Sequence, residues 1–308
     1  MPGWNSILDE IKGAGNAQDV IRRKYLAELS EYTGRNTIVY YSGWLQKGEL
    51  ERQGVTGFAV NDDDKNGFMA TINGLDRSKG LDLILHTPGG DTAATESLVD
   101  YLRAMFGTDI RAIIPQLAMS AGTMIALSTK EIVMGKQSSL GPIDPQLGGV
   151  PAHGVVEEFN QARLDIAANP MLANVWVPII GKYTPTLIGE CQKAIAWSEA
   201  MVRNWLDTGM LKDDPNKADK IDKIIEAFGN HALTLSHARH LGIKQVQETG
   251  VEVTSLESDQ ALQEAVLTVH HACIQTLSDT GCIKLIENQN GVAYVRAVQI
   301  AAIQVRAN

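Results

Sequence analysis

Between Leu81 and Gly149 the chain reads LDLILHTPGGD, then RAIIPQLAMSAGTMIALS, then EIVMGKQSSLGPIDPQLGG. This stretch constrains the fold more than any other. Its first segment is a largely apolar run, Leu81 to His86, closed by Thr87-Pro88-Gly89-Gly90-Asp91 and followed by a helical pattern reaching Phe106. Such a run, ended by paired glycines and reopened by an aspartate, predicts a buried strand, a tight turn and a helix capped by Asp91. The second segment repeats the scheme, with a strand over Ile110 to Pro115, a turn over Gln116 to Met119 and a helix over Ala121 to Ser128. Successive strand–helix units of this kind predict an α/β protein with a mainly parallel sheet and right-handed crossovers.

Ser120 falls where the second strand gives way to its helix. First-turn N–H groups there lack intrahelical acceptors and carry the positive end of the helix dipole. Two readings are open. A serine before a helix commonly does no more than cap it. A serine in this place is also suited to nucleophilic attack on a carbonyl, which needs an exposed hydroxyl, a base and donors for the developing oxyanion. The N–H groups of Ala121 and Gly90 are the candidate donors, since glycine lets the backbone approach a substrate closely.

TPGGD followed about thirty residues later by AMSAGT, and then by SSLGPIDPQLGG, resembles the Clp/crotonase-fold serine peptidases. Within that group the chain is most similar to the serine dehydrogenase proteinase (SDH) family, over most of its length. The resemblance implies a Clp/crotonase-like fold with helical N- and C-terminal additions, a soluble serine endopeptidase activity, Ser120 as nucleophile, and Gly90 and Ala121 as the oxyanion hole. It also implies a homo-oligomer acting on a peptide or protein substrate, with an ATPase or other protein as a further partner. Where the Clp subunit keeps its histidine base, before a Gln-Pro-Leu-Gly-Gly run, this chain has Asp144. A free carboxylate is a poor base for a serine hydroxyl, so the expectation moves to a lysine. Gly181-Lys182-Tyr183-Thr184 resembles the Gly-Lys-Tyr-Lys segment of the signal peptide peptidase branch, with its second lysine replaced, and Lys182 is the expected base. His153 and Lys193 stand behind it. The competing functions are an inactive Clp-fold binding or assembly protein and a crotonase-like acyl-CoA enzyme. Ser120 argues against the second, which needs a carboxylate in that place.

The remaining sequence adds organisation and exclusions. A net charge of −9 over 308 residues argues against nucleic acid and anionic membranes as partners. Cys191, Cys273 and Cys282 match no zinc spacing, and the absence of a Gly-x-Gly-x-x-Gly or Walker pattern gives no reason to expect a nucleotide or any cofactor. Reduced thiols and no apolar leader or spanning segment give the expectation of a cytoplasmic protein. The expected division is a helical extension over 1–35, a catalytic domain over 36–250 and a helix-plus-hairpin extension over 251–308. Two amphipathic helices are expected over 4–14 and 17–32, with Arg22, Arg23 and Lys24 on a solvated face. The Asp62-Asp63-Asp64 run reads as a solvated helix start, and His231, His237 and His240 as surface or interface histidines rather than metal ligands. Asn290-Gly291 signals a hairpin.

Overall fold

The computed structural model describes residues 17–229 and 236–298, together with Ile7 and Glu10. Most of the helix expected over 4–14, and His231, lie outside the described residues. In chain order, α1 (Gln18–Thr33) leads to β1 (Asn36–Ser42), the short α2 (Gly48–Arg52), α3 (Asp64–Ile72), β2 (Leu81–His86) and α4 (Thr92–Phe106). Next come β3 (Ile110–Ile114), β4 (Leu117–Ala118), α5 (Ala121–Leu127), β5 (Glu131–Met134), β6 (Ser139–Leu140), β7 (Gln146–Leu147) and β8 (Val150–Pro151). A helical section follows with α6 (Ala152–Ala168), α7 (Ala173–Ile180), α8 (Leu187–Thr208) and α9 (Lys217–Gly229). The described chain closes with β9 (Leu241–Gly242), α10 (Ile243–Thr249), β10 (Val253–Ser255), α11 (Gln260–Asp279), β11 (Cys282–Asn288) and β12 (Ala293–Ala297).

Seven strands form the main sheet in the order β10-β5-β3-β2-β1-β11-β12. The five from β10 to β1 are parallel, and β11 runs antiparallel to both β1 and β12. All seven residues of β1 are buried, because helices cover both faces of the sheet and the period-2 alternation sends neighbours into different cores. Ile38 and Tyr40 join Phe68, Leu98, Leu102, Val202 and Phe228 on one face. Val39 and Tyr41 join Leu26, Leu29, Val269 and Leu277 on the other. Fully burying one such side chain is worth about 1.5–3 kcal/mol, whereas the whole scale of strand propensity spans about 1 kcal/mol. Burial on both faces therefore decides that this segment is a central strand.

Two expectations are corrected by what the strands and helices touch. Residues 253–297 supply β10 at one side of the sheet and β11 and β12 at the other. Arg22 is fully buried instead of solvated: its Nε donates to Glu287 Oε2 on β11 at 2.6 Å, and its Nη1 donates to Thr276 Oγ1 at 2.9 Å. Asp64 is likewise buried, with Lys284 Nζ of β11 at 2.7 Å from one carboxylate oxygen and 2.9 Å from the other. Tyr40 Oη donates to the same carboxylate at 2.7 Å. Opposite in character is α7, an apolar helix with no buried residue.

Candidate active site

Every element around Ser120 is held by the backbone of its neighbours. At the end of β2, Thr87 N–H donates to Leu117 O at 3.1 Å and Met119 N–H donates to Thr87 O at 3.0 Å, which ties the glycine loop to β4. On its other side the loop pairs with Val60: Val60 N–H donates to Gly89 O at 2.7 Å, and Asp91 N–H donates to Val60 O at 2.9 Å. These approaches need glycines. A Cβ on Gly89 would lie 2.6 Å from Ser120 Cβ, and one on Gly90 would lie 2.3 Å from Val60 N. Asp91 then caps α4 as expected, its Oδ1 accepting from Ala94 N–H at 2.7 Å.

Ser120 has φ 49° and ψ −116°. Among the described residues it is one of two non-glycines with positive φ, Thr186 being the other. Holding an L-residue there costs about 1–3 kcal/mol and requires surroundings that enforce it. Its side chain caps nothing: no helix N–H donates to it. The capping explanation for this serine therefore fails, and the half-buried hydroxyl is left at the mouth of a fully buried helix. The N–H groups of Gly90 and Ala121 have no acceptor among the described residues.

A cleft of about 760 Å³ opens over this turn, lined by Pro88, Gly89, Gly90, Ser120, Ala121, Asp144 and His237 among others. The Asp144 side chain is wholly buried, and its Oδ1 lies 2.8 Å from His237 Nδ1. Its Oδ2 accepts from Gln146 Nε2 at 2.8 Å. The imidazole is 30% exposed, so it faces the cleft while its partner does not. Lys182 is absent from the cleft. It is exposed in the turn between α7 and α8, and Lys193 is exposed and paired with Glu190 at 2.9 Å. His153, on α6, does not line the cleft either. The structure thus gathers Ser120, Gly90 and Ala121 and leaves Lys182 outside.

At the level of sequence, the ClpP-like SDH-type serine proteinase family matches residues 21–269. The chain belongs to that family. Its sheet and helices are accordingly those of a ClpP-like SDH-type serine proteinase. Similar proteins include two uncharacterized proteins of Methanocaldococcus jannaschii, MJ0137 (32% identical over 199 residues) and MJ1495 (29% identical over 195 residues). Each match covers 63% of this chain, and it spans 63% of the first relative and 58% of the second, less than two thirds of either.

What sequence reasoning missed in this SDH-type proteinase is His237. It lies 117 positions after Ser120, in a run whose histidines read as surface or interface residues, and only the fold brings it to Asp144. The one available signal was Asp144 itself, a carboxylate between Pro142 and Pro145 in a stretch that, Gln146 apart, is apolar or glycine from Leu140 to Gly149, and which would need a polar partner if buried. Among the described residues no group of three or more histidine, cysteine or acidic side chains could hold a metal ion, and no helix is long and apolar enough to cross a membrane.

Proposed function

We propose that this chain is a serine peptidase in which Ser120 attacks the scissile carbonyl, His237 takes the serine proton, Asp144 holds His237, and the Gly90 and Ala121 N–H groups receive the oxyanion. The observation that carries this reading is the 2.8 Å pairing of a buried Asp144 with a cleft-facing His237, in the cleft that holds the unengaged Ser120 hydroxyl. With Asp144 as acceptor, His237 Nδ1 carries the proton and Nε2 presents a lone pair. Through that lone pair the imidazole can take the hydroxyl proton during attack and return it to the leaving amine. Charge developing on the carbonyl oxygen then meets two backbone donors that need no reorganisation.

This assignment replaces Lys182 as base, because an exposed lysine outside the cleft does not reach the hydroxyl. It also weakens the reading as an inactive binding protein, which rested on the missing base. The acyl-CoA reading gains no support, since Asp144 is engaged by both His237 and Gln146. Peptides or unfolded segments are the proposed substrates, as an open cleft admits an extended chain. A homo-oligomer belongs to the same proposal: Met171, Val175 and Val177, each more than half exposed, offer apolar area for a second copy to cover, and light scattering reads it. The central test is labelling with a fluorophosphonate, located by peptide mass spectrometry. The label should appear on Ser120, and Ser120→Ala should remove both label and hydrolysis at an unchanged melting temperature. Full residual hydrolysis in that variant would sink the proposal.

A further inference from the structure

The side chains of Lys284 and Asp64 are only 1% and 2% exposed. A buried ion pair adds little to stability, because two apolar residues of similar volume usually serve as well or better. What the pair touches gives it another use. The Lys284 ammonium has three donors and three acceptors: both Asp64 oxygens, and Ala59 O at 2.7 Å. Asp64 in turn accepts from Asn61 N–H at 3.0 Å and from Tyr40 Oη of β1 at 2.7 Å. The pair thus holds the peptide groups on both sides of Val60, which no apolar pair could do. Val60 carries that placement to the cleft. Its own N–H and C=O engage Gly89 and Asp91, so they straddle Gly90, with which Val60 forms a parallel bridge. The fit is close: a Cβ on Gly90 would lie 2.3 Å from Val60 N and 2.4 Å from Val60 O. Ala59 itself lines the cleft over Ser120. Asn61 adds a second hold on the same carbonyl, its Nδ2 donating to Ala59 O at 3.0 Å.

We propose that the Lys284–Asp64 pair positions the catalytic machinery: through Ala59, Val60 and Asn61 it aims the Gly90 N–H at the developing oxyanion. The inference rests on the reading of Ser120 as nucleophile and Gly90 as oxyanion donor. Neither side chain touches the substrate, and both act through the backbone of residues 59–61. An oxyanion donor is effective because it is in place before the charge develops. A displacement of about 1 Å caused by a remote change can cost about a hundredfold in rate. Loosening Val60 frees Gly90 to drift, since the two backbones are packed against each other. The tetrahedral intermediate is then stabilised less while the ground-state peptide binds as before. Such a change lowers kcat and leaves KM alone.

The test separates position from stability in the full chain. The double variant Asp64→Asn/Lys284→Met removes both charges together and keeps an amide oxygen to accept from Tyr40 and Asn61, so the loop loses only the Lys284 donor to Ala59 O. Asn61→Ala removes the other donor to that carbonyl at a half-buried position. Leu26→Ala, in the core on the other face of the sheet from Tyr40, is the control for destabilisation alone. Each is assayed on one fluorogenic peptide well below its melting temperature, with active sites counted by fluorophosphonate labelling of Ser120. A peptide trifluoromethyl ketone, whose adduct with the serine carries the oxyanion, serves as inhibitor. The double variant should lose at least about tenfold in kcat per labelled site, with KM unchanged and the ketone's affinity weakened in step with kcat. Asn61→Ala should show the same split at smaller size, and it decides the matter if the double variant yields no folded protein. Leu26→Ala should melt earlier yet keep wild-type kcat and ketone affinity. Wild-type kcat in the folded double variant overturns the positioning role, as does a fall that Leu26→Ala shares or one confined to KM; in each case labelling of Ser120 leaves the serine chemistry standing. A wild-type chain that takes no label on Ser120 removes the nucleophile reading and this inference with it.

Discussion

Replacing His86 with leucine should flatten the acid side of this protein's stability curve. His86 is fully buried at the end of β2, between Tyr41, Trp44 and His270, with neither ring nitrogen hydrogen-bonded among the described residues. Burial pushes its pKa from the ordinary 6.5 down to about 3. An unfolded chain thus takes up a proton that the folded one refuses. Stability is whole above about pH 6.5 and is lost progressively as the pH falls toward 3. Each pH unit within that window is worth about 1.4 kcal/mol. Going from about pH 7 to about pH 4.5 therefore removes on the order of 2.5 kcal/mol through this one residue. His270 contributes a loss of the same sign, because burial, and then the charges of His86 and His271, hold its pKa well below the ordinary value. The larger part of that contribution, which comes from burial, stays in the variant, so the difference between the proteins reports His86 together with its coupling to His270. Urea unfolding of wild type and His86→Leu at the two pH values is the assay. The wild type should lose about 2.5 kcal/mol more than the variant on acidification, with equal denaturant slopes. Equal losses in both proteins would refute the reasoning, since they would mean that His86 accepts its proton in the folded state.

Three further outcomes are expected. Asp144→Asn should lower kcat roughly ten-thousand-fold by releasing the His237 tautomer, while Lys182→Arg and Lys182→Ala should match wild type in steady-state assays on the same fluorogenic peptide. Gly90→Ala forces a Cβ to within 2.3 Å of Val60 N; it should cost about 1–3 kcal/mol of stability by thermal melts, and lower kcat more than it raises KM, because the displaced N–H is a proposed oxyanion donor. Lys284→Met strands the buried Asp64 carboxylate and should cost about 3–5 kcal/mol in urea unfolding, much of it recovered when Asp64→Asn is added.

The parts of the fold that were legible in the sequence are those fixed by local pattern. β2 occupies Leu81–His86, α4 follows the Asp91 cap, and α5 begins at Ala121, each within a residue of expectation. Periodicity and capping act over a few residues, so a single chain displays them. The hairpin at Asn290-Gly291 was legible for the same reason, as Gly291 takes the φ of 77° that such a turn requires. Long-range pairing leaves no such trace. Asp64 looked like one of three solvated carboxylates, and Arg22 like one of three solvated bases, because their partners Lys284 and Glu287 lie more than two hundred residues away. His237 was hidden in the same way. Its neighbours suggested a surface segment, and its contact with Asp144 spans 93 positions.

The strand β11 imposes an order in time. Lys284 Nζ donates to Ala59 O at 2.7 Å as well as to Asp64, Ala59 adjoins the Val60 that braces Gly89 and Asp91, and β11 lies between β1 and the edge strand β12. A ribosome that has made Ser120, and even His237, has still not made the residue that steadies the glycine loop. During that interval the parallel strands present the unpaired edge of β1, and the serine sits in a scaffold missing its brace. The glycine loop is therefore fully braced only late, once residues 282–288 have left the exit tunnel and docked against β1.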